Sequence, residues 1–158
     1  MGKVSTWVNV GSAVGVLMGI VFLGLEVRQN TDMMKSQARD SITEKQMMYS
    51  EWVATEPEMA EAVSKLGDGM ESMTPRERVM IGYFLAGVWR EWENSYYQYQ
   101  SGLFDSSEFE PRMGRWRSQM ANAATKLQWC AQREWFAPDF RVEVDGIVRA
   151  DGDWPCSE

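Results

Sequence analysis

The feature that most constrains this chain is a run near its N-terminus without any charged residue. The run extends over residues 4–25, between Lys3 and Glu26. A helix rises about 1.5 Å per residue, so this run would reach about 33 Å and could cross a hydrocarbon core of about 30 Å. Trp7 lies near one end, where aromatic side chains mark the membrane interface. The sequence therefore predicts a transmembrane helix.

Two other structures also contain long apolar runs: the buried helix of a soluble domain and a cleaved secretion signal. A buried helix would carry polar residues at the helical period, and residues 14–25 carry none. A cleaved signal needs a shorter apolar region followed by small residues, whereas Leu-Glu-Val-Arg follows at residues 25–28. We therefore expect an uncleaved anchor over residues 1–28.

Three glycines recur every four residues within the anchor, so that a helix would place Gly11, Gly15 and Gly19 on one face. Lipid offers no hydrophobic drive for helices to pair, and small residues allow the close backbone contact that replaces it. Glycine is also common in membrane helices in general. We predict a helix-packing interface here. Its partner is another copy of this chain in a homo-oligomer or a different protein in a larger membrane complex.

The charges that flank the anchor predict its orientation. Lys3 and the terminal amine lie on one side, and Arg28, Lys35 and Arg39 lie on the other. The positive-inside rule assigns the richer flank to the cytoplasm. We therefore expect a single-pass protein whose C-terminal domain is cytoplasmic.

The anchor is predicted to continue into an amphipathic helix, because no glycine or proline interrupts residues 29–54. Apolar side chains follow at helical spacing in this segment, namely Ala38, Ile42, Tyr49 and Trp52. Pro57 ends the helix, and a short helix over residues 58–66 follows.

Two capping signals start long helices in the rest of the domain. The sequence TPRE at residues 74–77 combines an N-cap, a proline in the first turn and a capping box, and predicts a helix that ends before Gly102. The sequence DSSE at residues 105–108 predicts another helix, which Pro138 ends. The expected fold class is all-α, with residues 29–140 packed as a small helical bundle.

The tail over residues 141–158 has a different pattern. Apolar and polar residues alternate over residues 141–150 around an Asp-Gly pair, which predicts a short C-terminal β-hairpin, with a frayed helix end as the alternative. A disulfide between Cys130 and Cys156 stays open, because two cysteines without a CxxC spacing give no framework signal.

Composition excludes several functions. The chain has no histidine, which removes the Ser-His-Asp and Cys-His systems and the commonest zinc ligand. Its net charge of −7 argues against nucleic acid as a partner. Arg112, Arg115 and Arg117 form a small basic cluster, which we interpret as a solvated helix face. We expect no catalytic residue, no metal and no cofactor.

The densest group of aromatic and polar side chains is the sequence WREWENSYYQYQ at residues 89–100. Glu91 and Glu93 are its candidates for acid–base chemistry, but residues two apart on a helix point to different faces. We interpret this segment as an aromatic seam, whose rings pack and whose polar tips form hydrogen bonds. The residues of the aromatic seam are Trp89, Trp92, Tyr96 and Tyr99.

The chain contains the segments LGLEVRQNT at residues 23–31, ENSYYQYQSGLFD at 93–105 and REWFAPDF at 133–140. With these three segments it resembles a set of small uncharacterised bacterial proteins. The resemblance covers most of the chain up to Phe140, and the tail from Arg141 departs from it. It implies one N-terminal membrane helix and a helical soluble part, and it assigns no catalytic residue.

These features favour a non-enzymatic protein of the bacterial inner membrane. Its partners would be the lipid bilayer and other transmembrane helices, and it would act as an accessory or scaffolding subunit through its glycine face. The alternative is a homo-oligomeric pore or channel. A pore needs polar residues along one face of the spanning helix, and only Asn9 and Ser12 are available.

Overall fold

A computed structural model describes residues 2–152 and 154–156 of this chain. The described residues form helices joined by short turns, and no strand occurs among them. The all-α prediction is confirmed. The helices are α1 (Gly2–Thr55), α2 (Pro57–Ser64), α3 (Pro75–Gln100), α4 (Ser106–Met120), α5 (Ala123–Gln132) and α6 (Pro138–Ala150).

Contacts divide the chain into two compact units, Met1–Gln37 and Ala38–Glu158. α1 continues without a break from the apolar run into the amphipathic segment, as the sequence predicts. It ends at Thr55 because Glu56 adopts an extended conformation (φ −103°, ψ 104°) before Pro57.

The start of α3 follows from its local sequence. The Thr74 hydroxyl accepts a hydrogen bond from the Glu77 backbone N–H (3.3 Å), and the Glu77 carboxylate accepts one from the Thr74 N–H (2.6 Å). This is the predicted capping box, with Pro75 at the first helical position. The helix ends at Gln100, and Gly102 follows with φ 71°, a left-handed conformation that favours glycine.

The helix predicted between residue 105 and Pro138 is in fact two helices, so that prediction is wrong. α4 ends at Met120, and the Asn122 side chain accepts hydrogen bonds from the first N–H groups of α5. Apolar residues recur at helical spacing across this break, at Trp116, Met120, Ala124 and Leu127, so spacing alone does not reveal it. The predicted capping box at residues 105–108 does not form, because Asp105 occupies the N-cap position without a side-chain capping bond.

The predicted C-terminal hairpin is also wrong, because its residues form α6. The same residues fit both periods, and the helix buries Phe140, Val144, Ile147 and Val148 on one face against the other helices. Asp145, the expected turn residue, is itself buried and accepts a hydrogen bond from Trp129 Nε1 (2.9 Å). An isolated two-stranded hairpin would bury far less apolar surface.

Large aromatic side chains form much of the core of the second unit, where α3, α4, α5 and α6 meet. Four of them are almost completely inaccessible to solvent: Trp89, Trp116, Trp129 and Phe140. Their rings meet edge to face, as in the pair Trp129 and Phe140, with centroids 5.9 Å apart. Aromatic rings favour such contacts because the positive edge of one ring meets the negative face of the other.

Candidate functional site

The first candidate site is the apolar part of α1. It contains one stretch long and apolar enough to cross a membrane, with a mean hydropathy of 1.6. A signal sequence or the core helix of a soluble protein can have the same length and hydropathy. A core helix, however, would be buried, and here the large apolar side chains between Val14 and Val27 are 50% to 69% exposed.

The three glycines of the predicted interface lie in this exposed stretch. A Cβ atom added to Gly11, Gly15 or Gly19 would meet no atom within 4 Å. The glycines are therefore not required by any packing among the described residues. Of the two polar residues relevant to a pore, Ser12 is exposed, and the side chain of Asn9 lies outside the described residues.

The aromatic seam lies inside the second unit and packs against three other helices. Trp92 stacks on Trp116 of α4, with centroids 4.9 Å apart, and Tyr99 stacks on Phe109 at 4.2 Å. The two remaining members have edge or tilted contacts: Trp89 with Trp129 and Phe136, and Tyr96 with Phe109 and Phe140.

A buried ion pair lies beside this seam. Arg112 Nη1 donates to Glu91 Oε1 over 2.8 Å, and the two side chains are only 14% and 4% exposed. Ser95 Oγ donates to the same carboxylate oxygen, also at 2.8 Å. The interpretation of the basic cluster as a solvated face is therefore wrong for Arg112, whereas Arg115 and Arg117 are exposed.

The two candidate acid–base carboxylates do point to different faces, as the helical spacing predicts. Glu91 is buried against α4, whereas Glu93 accepts hydrogen bonds from Arg90 and from the Ala137 N–H at the start of α6. Each carboxylate is engaged in holding helices together. Among the described residues, no group of three or more carboxylates and cysteines could hold a metal ion.

A cavity of about 550 Å³ lies between residues 46–53 of α1 and the helices α2 to α5. Its walls are mainly apolar and aromatic, and its floor includes the seam members Trp89 and Trp92. The charged side chains in its lining are Glu91, Arg112 and Arg115. The volume lies in the range of small-molecule sites, about 300–1,000 Å³.

Two buried polar atoms of residues that line this cavity have no hydrogen-bond partner among the described residues. They are the indole N–H of Trp89 and Oε1 of Gln119. Most buried polar groups in proteins are satisfied, so unpaired ones require an explanation, such as a bound water or ligand.

Tyr49 of α1 forms part of the cavity wall and lies directly over α3. A Cβ atom at Gly87 would come within 2.6 Å of the Tyr49 hydroxyl, so glycine allows this close approach. Burial, reinforced by the Glu91 carboxylate, raises the pKa of Tyr49 above its ordinary value of 10.0. The hydroxyl therefore stays protonated near neutral pH and can donate a hydrogen bond.

A second cavity, of about 650 Å³, lies between α3 and α6 and is lined by Arg90, Glu93 and Asp139 among others. Arg90 and Glu93 are paired with each other. Arg90 also donates to the Trp135 carbonyl (3.0 Å). Because Arg90 and Glu93 already satisfy one another, this cavity presents a weaker case for a ligand.

Cys130 of α5 and Cys156 of the tail form a disulfide, with Cα atoms 5.0 Å apart. Trp154 in the same tail lies under the guanidinium of Arg149, whose central carbon is 4.3 Å from the ring centroid.

The sequence left the disulfide between Cys130 and Cys156 open and did not predict the cavity between α1 and helices α2 to α5. The cavity depends on how five helices pack, and no local pattern in the sequence encodes that.

No protein-family model, no curated protein and no solved structure matches this chain. The resemblance to small bacterial membrane proteins therefore stays a prediction.

Proposed function

We propose that this chain is a non-enzymatic, single-pass protein of the bacterial inner membrane. It serves as an accessory or scaffolding subunit that joins other transmembrane helices through Gly11, Gly15 and Gly19. The helical unit that follows is the part of the subunit that lies outside the bilayer.

One observation carries this proposal: the large apolar side chains of α1 between Val14 and Val27 are exposed. The large apolar residues from Val14 to Val27 are at least half exposed. Soluble proteins rarely leave so large a contiguous apolar surface uncovered. A bilayer covers such a surface, and the helical backbone satisfies its own hydrogen bonds there.

The open glycine face supports association with another helix. A Cβ atom at Gly11, Gly15 or Gly19 would meet no atom within 4 Å, so the three glycines leave a strip without side chains that is available to a partner backbone. Close contact along such a strip supplies the dispersion energy that lipid does not.

The disulfide favours an orientation opposite to the one that the flanking charges predict. Disulfides form and persist in the periplasm and are rare in the cytoplasm. The charge difference across the anchor is small, with Arg28, Lys35 and Arg39 against Lys3 and the terminal amine. We therefore propose that the helical unit with the Cys130–Cys156 bond lies on the periplasmic side.

The anchor is tested by carbonate extraction of cell membranes, with intact mass measured on the extracted protein. An uncleaved anchor keeps the chain in the membrane pellet, and its mass includes residues 1–28. A protein that is released into the soluble fraction, or that has lost these residues, would contradict the proposal.

A matched variant sharpens this test. Replacing Leu17 and Val21 with Lys should release the chain, because each central lysine costs about 2.5–3.5 kcal/mol on insertion. Both positions are exposed, so folding of the helical unit is not affected. The control replaces Lys35 and Lys45, which lie beyond the span, with Gln and should stay in the pellet.

The orientation is tested by precipitating intact cells with acid, which preserves thiols and disulfides as they are, followed by denaturation and alkylation with a polyethylene-glycol maleimide. A periplasmic unit gives no mobility shift unless a reductant is added first. A shift by two labels without reductant would show that both thiols are free and would favour the cytoplasmic orientation.

A further inference from the structure

We propose that the 550 Å³ cavity between α1 and helices α2 to α5 binds a small aromatic molecule that carries one carboxylate. This site is distinct from the glycine face, and it does not depend on the membrane association proposed above.

The shape and walls of the cavity favour an aromatic ligand. Its floor contains the stacked pair Trp92 and Trp116, whose planes lie within 14° of each other, and Phe84 forms part of a wall. These two rings already stack on each other, with centroids 4.9 Å apart, so a flat aromatic molecule would contact their edges and the lining rings of Tyr49 and Phe84 rather than enter between them. A molecule of two or three fused rings fits well within the available volume.

The polar groups in the cavity favour a ligand that accepts hydrogen bonds. The indole N–H of Trp89 is a donor only, and it is unpaired although Trp89 is completely buried. The hydroxyl of Tyr49, which also lines the cavity, is a second donor, since a tyrosine hydroxyl is protonated near neutral pH. A carboxylate has two acceptor oxygens and no hydrogen, so it suits a lining that offers hydrogen-bond donors.

Gln119 is compatible with the same ligand. Its Oε1 is buried without a partner among the described residues. Rotation of the amide by half a turn would bring the NH₂ group to that position, and the two orientations differ only in the hydrogen bonds they make. A carboxylate would therefore select the donating orientation.

The charges of the lining favour an anion. Arg112 is neutralised by Glu91, which leaves the exposed Arg115 as an additional positive charge. The described residues offer Arg115 no acidic ion-pair partner. In a chain of net charge −7, a cavity whose charged lining has one excess positive charge is a local exception.

Binding is measured on the full-length protein in zwitterionic nanodiscs, with anthracene-2-carboxylate as the probe. Energy transfer from tryptophan to anthracene reports binding, and empty nanodiscs give the background from partition into lipid. The neutral amide of the same ring system is the matched ligand. We expect saturable binding at one site, with the carboxylate at least several-fold tighter than the amide.

Two exposed variants locate the site. Ser118→Phe places a ring in the lining and should abolish binding of both probes. The control Ser107→Phe, on the same helix but away from the cavity, should bind like the parent.

Arg115→Gln should weaken carboxylate binding by about fivefold and leave amide binding unchanged. Arg117→Gln, two residues further along the same helix, is its control and should change neither.

Three results would overturn the proposal. They are the absence of saturable binding above the nanodisc background, equal affinities for the acid and the amide, and unchanged binding in Ser118→Phe. None of them bears on membrane insertion, which carbonate extraction tests separately.

Discussion

Arg112 of α4 donates to the carboxylate of Glu91 of α3 over 2.8 Å, in a position from which solvent is nearly excluded. Ser95 lies one turn from Glu91, and its hydroxyl accepts from the same guanidinium at 3.2 Å. These three residues join two helices whose other contacts are largely aromatic. We infer that this polar junction fixes the register of α4 on α3, because a shifted helix would leave both charges unpaired.

The ion pair gives the first prediction. Arg112→Met leaves the Glu91 carboxylate buried without its cation and should lower the free energy of unfolding by about 3–5 kcal/mol. The double variant Arg112→Met with Glu91→Gln should lose clearly less than the sum of the two single changes. Thermal unfolding followed by circular dichroism measures both effects.

The control for this prediction is Arg117→Met on the exposed side of the same helix, which should change stability by less than about 0.5 kcal/mol. Equal losses at Arg112 and Arg117, or strict additivity in the double variant, would refute the role assigned to the pair.

The capping box of α3 gives a pH-dependent prediction. The Lys65 ammonium, followed by the Thr74 backbone N–H, lowers the pKa of Glu77 from 4.5 to about 2. Because the folded pKa lies below the unfolded one, this carboxylate stabilises the fold fully above pH 4.5, and the contribution is lost as pH falls towards 2.

Glu77→Gln should therefore flatten the dependence of the melting temperature on pH between 4.5 and 2. Lys65→Met, which removes the partner cation, should flatten it in part, since the Thr74 N–H remains. A Glu77→Gln protein with the same pH dependence as the parent would show that the carboxylate is not engaged in this way.

The parts of the fold that the sequence predicts correctly are those determined by residues close together in the chain. The anchor continues into the amphipathic helix because no glycine or proline interrupts the chain there. The start of α3 depends on residues within a few positions of one another, such as Thr74 and Glu77. The aromatic seam was recognisable from helical spacing alone. Its members were identified as packing residues because Trp and Tyr at that spacing lie along one stripe of the helix.

The errors have one cause in common, which is that tertiary contacts decide between local alternatives. Residues 141–150 alternate well enough for a hairpin, but a helix buries Val144 and Val148 together against the core. The break before α5 depends on Asn122, which also donates to the Leu66 carbonyl on a distant segment at 2.9 Å. The cavity follows from the packing of these same helices, so no local rule could predict it.

The disulfide gives the third prediction. It joins residues 26 apart in sequence, and closing a loop of that length stabilises the fold by about 3.5 kcal/mol in the chain-entropy account. Replacing Cys130 and Cys156 with Ser should therefore lower stability by about 2–4 kcal/mol. It should also make the segment after α6 more sensitive to protease, and reduction of the parent should have the same effect.

The contact between Trp154 and Arg149 does not involve the disulfide, so we expect reduction to loosen the tail rather than release it fully. Removing this contact with Trp154→Ala in the oxidised protein is the matched control and should have a smaller effect on the melting temperature. A reduced protein as stable and as protease-resistant as the oxidised one would contradict this account of the tail.

Association through the glycine face is the central claim, and Gly15→Leu tests it most directly. A Cβ atom at Gly15 would meet no atom within 4 Å, so we expect this change to leave the fold of the isolated chain intact. Leu is at least as apolar as Gly, so insertion is retained, whereas a partner backbone is pushed away from the strip. Val14→Leu and Val21→Leu lie off the strip and serve as controls.

The three variants and the parent are crosslinked in native membranes, and the amount of each crosslinked species is then quantified. The account predicts that Gly15→Leu loses most of its crosslinked assembly, while Val14→Leu and Val21→Leu assemble like the parent and all four proteins stay in the carbonate pellet. A Gly15→Leu protein that assembles as fully as the parent would contradict it.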